Sequence, residues 1–221
     1  MMLAPGLALI FDMDGVLLNS NPVHREAWAA FNRRYGLETT EEMHHFMYGK
    51  RNDAIVRGFF GSDLPDEEVH ARGAAKEALY RKMIEGSLEE SLVPGVRQFL
   101  EDYRDAPKAV ASNAEPDNVN LLLDRSGLRA YFQVVVNGHE VQNPKPHPEI
   151  YLRTSDLLGV APANCIVFED SHSGVEAAVA AGMRVIGIST TYDNLPSTMI
   201  SVDNFLSGDI QRWLAHQSRV V

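Results

Sequence analysis

The sequence predicts an α/β fold, a doubly wound parallel sheet with an all-helical segment inserted after its first strand. Three observations carry the prediction. Short, continuously apolar runs recur along the chain, as strands buried on both faces require. Amphipathic helical patterns separate those runs. Between residues 19 and 89 the pattern is helical throughout, with no strand among it.

The first run is 7–11 (LALIF), which stops at Asp12-Met13-Asp14-Gly15. Runs of the same form lie at 108–112 (KAVAS), 165–169 (CIVFE) and 184–188 (RVIGI), with a shorter one at 134–136 (VVV). Helices are predicted over 116–126, 148–158 and 174–181, each followed by a glycine that ends it. Strand and helix in alternation give a Rossmann-like core. The insert reads as helices over 23–35, 41–47, 53–60 and 66–85, punctuated by Gly36, Gly49, Gly61 and Gly86. Trp28 and Phe31, three apart on the first of these, read as packing residues. A terminal helix containing Trp213 is expected within 191–221. The expected division is therefore a core of residues 1–18 and 90–221 and a helical cap of residues 19–89.

Composition narrows the partners. Among 221 residues, 20 Lys plus Arg face 30 Asp plus Glu, a formal net charge of −10. That balance opposes nonspecific nucleic-acid binding, which needs cations against phosphates. It opposes an anionic membrane surface too. No apolar run approaches the roughly 18–20 residues of a membrane helix, and the apolar start runs directly into Asp12, unlike a signal peptide. Cys165 is the single cysteine, so an intramolecular disulfide is impossible and a cytoplasmic setting is expected. A monomer is the expected state.

Three motifs sit where apolar runs end, outside the carboxyl ends of strands, where ligands bind in open α/β sheets, and a fourth lies in a loop. Asp12 and Asp14 flank Met13 beside a glycine. Such a pair can hold Mg²⁺ through oxygen, supply a nucleophile and move a proton; it can also be a turn with two solvated acids. Glu169-Asp170-Ser171 can complete a cation site, or cap the helix that follows. Ser112-Asn113 precedes a helix opening at Pro116, which suits either an anion site or simple capping. Lys145 stands between Pro144 and Pro146, an aimed cation or a solvated surface charge.

These stations together resemble the haloacid dehalogenase superfamily, most nearly its β-phosphoglucomutase-like and sugar-phosphatase subgroup with a helical cap. The resemblance spans residues 7 to about 190. It implies a Mg²⁺-dependent phosphohydrolase acting on a small phosphorylated metabolite. Asp12 would be the nucleophile and carry a transient aspartyl phosphate. Asp14 would be the general acid and base. Ser112 and Lys145 would grip the phosphoryl oxygens, aided by Asn113. Asp12, the backbone carbonyl of Asp14, Glu169 and Asp170 would hold Mg²⁺. Asp14 sets the chain apart from true dehalogenases, which need no proton donor to a leaving oxygen.

For the cap, the resemblance implies substrate contacts from His24, from the Gly49-Lys50-Arg51-Asn52 loop and from Lys76. His24 and Lys76 match residues of the mutases. The mutases place an arginine three residues after the loop glycine, where this chain has Asn52, with Arg51 one position earlier. A phosphosugar mutase is thus the second reading. A non-catalytic binding module on the same fold is the third, opposed by the intact set Asp12, Asp14, Lys145 and Asp170.

Overall fold

The computed structural model describes residues 3–217. Among them, six strands form one parallel sheet: β1 (Ala8–Phe11), β2 (Lys108–Ala111), β3 (Val134–Val136), β4 (Cys165–Glu169), β5 (Arg184–Ile188) and β6 (Ile200–Val202). Their order is β3-β2-β1-β4-β5-β6. The chain steps outward from β1 in one direction through β2 and β3, then returns to β1's other side as β4. That reversal opens a crevice at the carboxyl ends of β1, β2 and β4.

The apolar runs behave as predicted because both sheet faces are covered. Leu9 and Phe11 enter one buried cluster, Ala8 and Ile10 the other. Phe11 stacks on Phe168 of β4, with ring centroids 4.7 Å apart. Helices α5 (Val96–Asp102), α6 (Pro116–Arg125), α7 (Glu149–Leu158), α8 (His172–Ala180) and α9 (Gly208–Gln217) flank the sheet.

Between β1 and α5 lie α1 (Asn21–Arg33), α2 (Glu41–Met47), α3 (Asn52–Phe60) and α4 (Asp66–Ile84). This helical cap has its own apolar centre of Trp28, Phe31, Met47, Ile55, Val56 and Val69. Trp28 meets Phe31 edge to face at 5.9 Å, in the packing role expected of them.

Two elements escape the sequence pattern. Helix α5 was not expected, although its seven residues bury Val96, Phe99 and Leu100. Strand β6 has three residues with Ser201 exposed between two apolar ones, and sits at the sheet edge. The terminal helix around Trp213 is present as α9; residues 218–221 lie outside the described residues.

Candidate active site

The site is assembled where β1, β2 and β4 end. After β1 the chain turns sharply. Leu17 and Leu18 amides return to the Met13 carbonyl, at 2.9 and 3.2 Å. Gly15 sits at φ 82°, and a Cβ there would stand 1.9 Å from Asp170 Oδ2. Only glycine lets the two acidic loops approach this closely.

Asp12 and Lys145 form the floor. Lys145, 3% exposed, donates from Nζ to Asp12 Oδ1 at 2.5 Å, to Glu169 Oε1 at 2.7 Å and to the Ala111 carbonyl at 2.9 Å. All three ammonium hydrogens are therefore engaged. Flanked by prolines, Lys145 is an aimed group and not a solvated one. Glu169 is held still more completely. Oε1 also accepts from Tyr151 Oη at 2.6 Å; Oε2 accepts from the amides of Asp170 and Ser171 and from Ser171 Oγ. Ser171 Oγ itself accepts from the Gly174 amide at 3.1 Å, so helix capping and site building are both done here. Asp170 Oδ2 accepts from Asn21 Nδ2 at 3.2 Å and from Thr191 Oγ1.

The electrostatics follow from burial. Asp12 is pushed up to about 8 by desolvation, which Glu169 and Asp14 reinforce and Lys145 only partly offsets. Asp170 is raised by the same desolvation and by Glu169 and Asp12. Lys145 runs the other way: burial lowers it, but Asp12 and Glu169 outweigh burial and hold the ammonium charged. Asp12, Glu169 and Asp170 each place one oxygen within 4.8 Å of the others. Fully ionised, three buried carboxylates sharing one ammonium would leave negative charge in excess, and that repulsion adds to burial in raising Asp12 and Asp170. A hard divalent cation, bound through oxygen, fits that donor set.

Asp14 is treated differently from its neighbour. Burial would raise it, but hydrogen bonding from His24 and Ser20 wins and holds it below the usual carboxylate range. Ser20 Oγ donates to Asp14 Oδ1, and His24 Nε2 stands 3.5 Å from the same oxygen. The other ring nitrogen, Nδ1, meets Lys76 Nζ at 2.7 Å. An ammonium only donates, so Nδ1 accepts and Nε2 carries the hydrogen that faces Asp14.

The remaining predicted residues border one cavity of about 580 Å³ between the strand ends and the helical cap. Ser112 is buried beneath it, its Oγ accepting from the Ala114 amide at 3.1 Å. Asn113 is a tie between segments. Its Nδ2 donates to the Gly49 carbonyl at 2.9 Å, and its Oδ1 accepts from the Lys145 amide at 3.3 Å. Gly49 has φ 71°, and a Cβ there would collide with Ser173 Oγ at 2.3 Å. Lys50 lays its ammonium over the Phe46 ring, 3.4 Å from the centroid. Arg51 Nε faces Asp53 Oδ1 at 3.8 Å. Asn52 Nδ2 donates to Glu77 Oε1 at 2.8 Å and Glu115 Oε1 at 2.9 Å. Lys76, 1% exposed, donates to Glu77 Oε1 at 2.9 Å.

Sequence reasoning missed Asn21, Thr191, Tyr151, Glu77, Glu115 and Asn118. Thr191 lies three residues beyond β5, so the strand-end rule applied to that strand would have flagged it. Glu77 adjoins Lys76 on α4, but neighbouring residues of a helix point in different directions, so the pair carries no local signal of burial. Nothing local marks Tyr151 or Asn118, whose partners lie 18 and 41 residues away.

Acids and a lysine converge at the switch point of a capped parallel sheet, as in the enzymes this chain matches. The chain belongs to the haloacid dehalogenase-like hydrolase family, whose model matches residues 7–182. It is similar to a phosphorylated carbohydrates phosphatase of Thermotoga maritima, 37% identical over 82% of this chain and 84% of that one. A fructose-1-phosphate phosphatase of Escherichia coli is 34% identical over 81% of this chain and 95% of its own. Among solved structures, a β-phosphoglucomutase of Clostridium difficile superposes with a TM-score of 0.85 at 26% identity, covering 97% of this chain and 99% of that one.

Proposed function

We propose that this protein is a Mg²⁺-dependent phosphatase of a phosphorylated sugar, working through an aspartyl phosphate on Asp12. The observation that carries the reading is the buried contact of Asp12 with Lys145 at 2.5 Å, at the floor of a cavity large enough for a sugar phosphate. The sugar phosphatases among its relatives support the substrate class.

Asp12 attacks the phosphorus, the ester P–O bond breaks, and Asp14 gives its proton to the leaving oxygen. Water then attacks the acyl phosphate while Asp14 takes the water's proton, returning Asp12 as carboxylate and releasing phosphate. Asp14 is held ionised, so it stands open to the water's proton in the second half. A phosphate dianion arriving beside it raises its proton affinity and readies it for the first half. Lys145 and Ser112 hold the phosphoryl oxygens, and Asn113 keeps the Lys145 loop against the Gly49 loop. Phosphoryl transfer asks mainly for such positioning and charge neutralisation. Asp12, Asp170 and the Asp14 carbonyl would hold Mg²⁺, which offsets repulsion between carboxylate and phosphate. Glu169, its oxygens already accepting five hydrogen bonds, supports that set from behind.

The cap boundary at residues 19–89, a cytoplasmic setting and a monomeric state belong to the same proposal. Among the described residues, no helix is long and apolar enough to cross a membrane.

The mutase reading is supported by the His24–Lys76 contact beside Asp14 and by the likeness to a β-phosphoglucomutase. Against it, Asn52 is bound between two carboxylates. The deciding experiment follows a sugar-phosphate panel with Mg²⁺ for both free phosphate and isomerised product. Phosphate release that Asp12→Asn abolishes is expected. Isomerisation primed by a bisphosphate, without net phosphate release, would replace the phosphatase reading with the mutase one.

A further inference from the structure

The cavity has a floor that attracts phosphate and a wall that does not. On the wall, Asn52, Lys76 and Asn118 are already turned onto carboxylates, while Lys50 rests its ammonium on the Phe46 ring. Asn52 has two amide hydrogens, given to Glu77 and Glu115. Lys76 is paired with Glu77 at 2.9 Å. Asn118 Nδ2 donates to Glu77 Oε2 at 2.7 Å, and its Oδ1 is occupied by Arg81 at 2.9 Å. Arg51 faces Asp53. Glu77, on α4, is 3% exposed, and Glu115, at the start of α6, is half-buried; both border the cavity.

We propose that Glu77 and Glu115 are specificity residues that admit a substrate whose end remote from the transferred phosphoryl group is uncharged and hydroxyl-bearing, and that reject bisphosphates. The proposal rests on the reading that Asp12 receives a phosphoryl group. A second phosphate would have to draw Asn52, Lys76 and Asn118 off their carboxylates, and would then lie against two like charges. Rejection of this kind comes from an unpaired, repelled group and not from lost contact. A sugar hydroxyl meets the same wall without conflict, because it donates to a carboxylate oxygen and accepts from an ammonium or amide. Glu77 stays ionised across the working range: burial would raise it, but Lys76 holds it down to about 2.

The test measures Mg²⁺-supported phosphate release from fructose 1-phosphate and from fructose 1,6-bisphosphate, as the ratio of kcat/KM within each enzyme. The fraction of enzyme folded cancels from such a ratio. The native chain should favour the monophosphate by about 30-fold or more, as like-charge rejection allows. Glu77→Gln and, independently, the less buried Glu115→Gln should each shrink that ratio by roughly 5-fold or more through a lower KM for the bisphosphate. A native ratio near one, or two variants that both keep the native ratio, would overturn the proposal. An aryl phosphate separates the two levels. If Asp12-dependent turnover of p-nitrophenyl phosphate persists while the sugar ratio is near one, the wall proposal alone falls. If no substrate gives Asp12-dependent turnover, the phosphatase reading falls and takes the wall proposal with it.

Discussion

The floor and the wall of the cavity each bury one lysine, and they use it in opposite ways. Lys145 reaches across 133 residues to Asp12 and is shared with Glu169, so one ammonium serves two carboxyl groups that it cannot both neutralise. Lys76 is matched by its own neighbour, Glu77, and its other contacts are the His24 nitrogen and the faces of Trp28 and Tyr80. The floor therefore keeps an unmet demand for positive charge, and the wall keeps none. A buried site becomes reactive when its charges are left incompletely paired; a buried pair that is complete shapes and excludes.

The largest expected effect strikes the floor. Asp12→Asn should lower phosphate release by about 10⁴-fold or more, as loss of a nucleophile does, while the thermal midpoint stays within a few degrees. Retained activity would end the nucleophile assignment and with it the contrast between the two regions.

Chelation comes next. EDTA should abolish turnover and Mg²⁺ restore it. At about 100 times its dissociation constant, a bound cation adds roughly 2.7 kcal/mol, or about 5–10 °C in Tm for a chain of this size. Because Asp12 holds its proton up to about 8 in the bare cluster, loading at pH 7 should also release protons. Calorimetry in two buffers of different ionisation enthalpy reads that release. A metal-independent rate would contradict the charge demand assigned to the floor.

Lys145→Ala leaves Asp12 and Glu169 facing each other in a dry site. A loss of about 3–5 kcal/mol is expected by denaturant titration, the usual result of removing one partner from a buried charge cluster. A loss below about 1 kcal/mol would mean that the floor is wetter than its burial indicates.

The wall carries a pH signature. The Glu77 carboxyl lies at about 2 in the folded chain against an ordinary 4.5, so the unfolded chain binds its proton more readily. Its contribution is complete above about pH 5 and is lost as pH falls toward 2, on the order of 3 kcal/mol in all. Glu77→Gln should flatten that part of the acid limb relative to the native chain. Parallel stability–pH curves would remove the ion pair from the account of the wall.

Arg51→Ala is the mildest change expected, because Arg51 faces Asp53 only at 3.8 Å. It should raise KM for a sugar phosphate by about 2- to 5-fold, an exposed-pair magnitude, and more than for an aryl phosphate. An equal loss on both substrates would move Arg51 from the wall to the floor chemistry.

The two regions were not equally legible in the sequence. Asp12, Asp14, Ser112, Lys145, Glu169 and Asp170 each follow an apolar run or stand between prolines, so strand-end position announced them before any contact was known. The helical segment announced its helices and its packing residues through periodicity and glycine breaks. What no local pattern announced is pairing at long range. Tyr151 supports Glu169 from another element, Asn118 closes on Glu77 across the cavity, and Asn113 binds Gly49 in place of a free substrate contact. Helix α5 and strand β6 went unseen for a related reason, since both owe their place to packing on the sheet: α5 buries Val96, Phe99 and Leu100, and β6 pairs with β5 at the edge.

By itself, then, the sequence determined the parallel sheet, the helical insert and the identities of the floor residues, because burial on both faces and strand-end acids leave a one-dimensional mark. Tertiary structure alone decided how the charges are shared. Whether Lys145 is solvated or buried, whether Glu169 is open or saturated, and whether Asn52 offers its hydrogens or has spent them depends on distances between elements far apart in the chain. Coulombic and hydrogen-bond energies depend on those distances, and spacing along the sequence does not encode them.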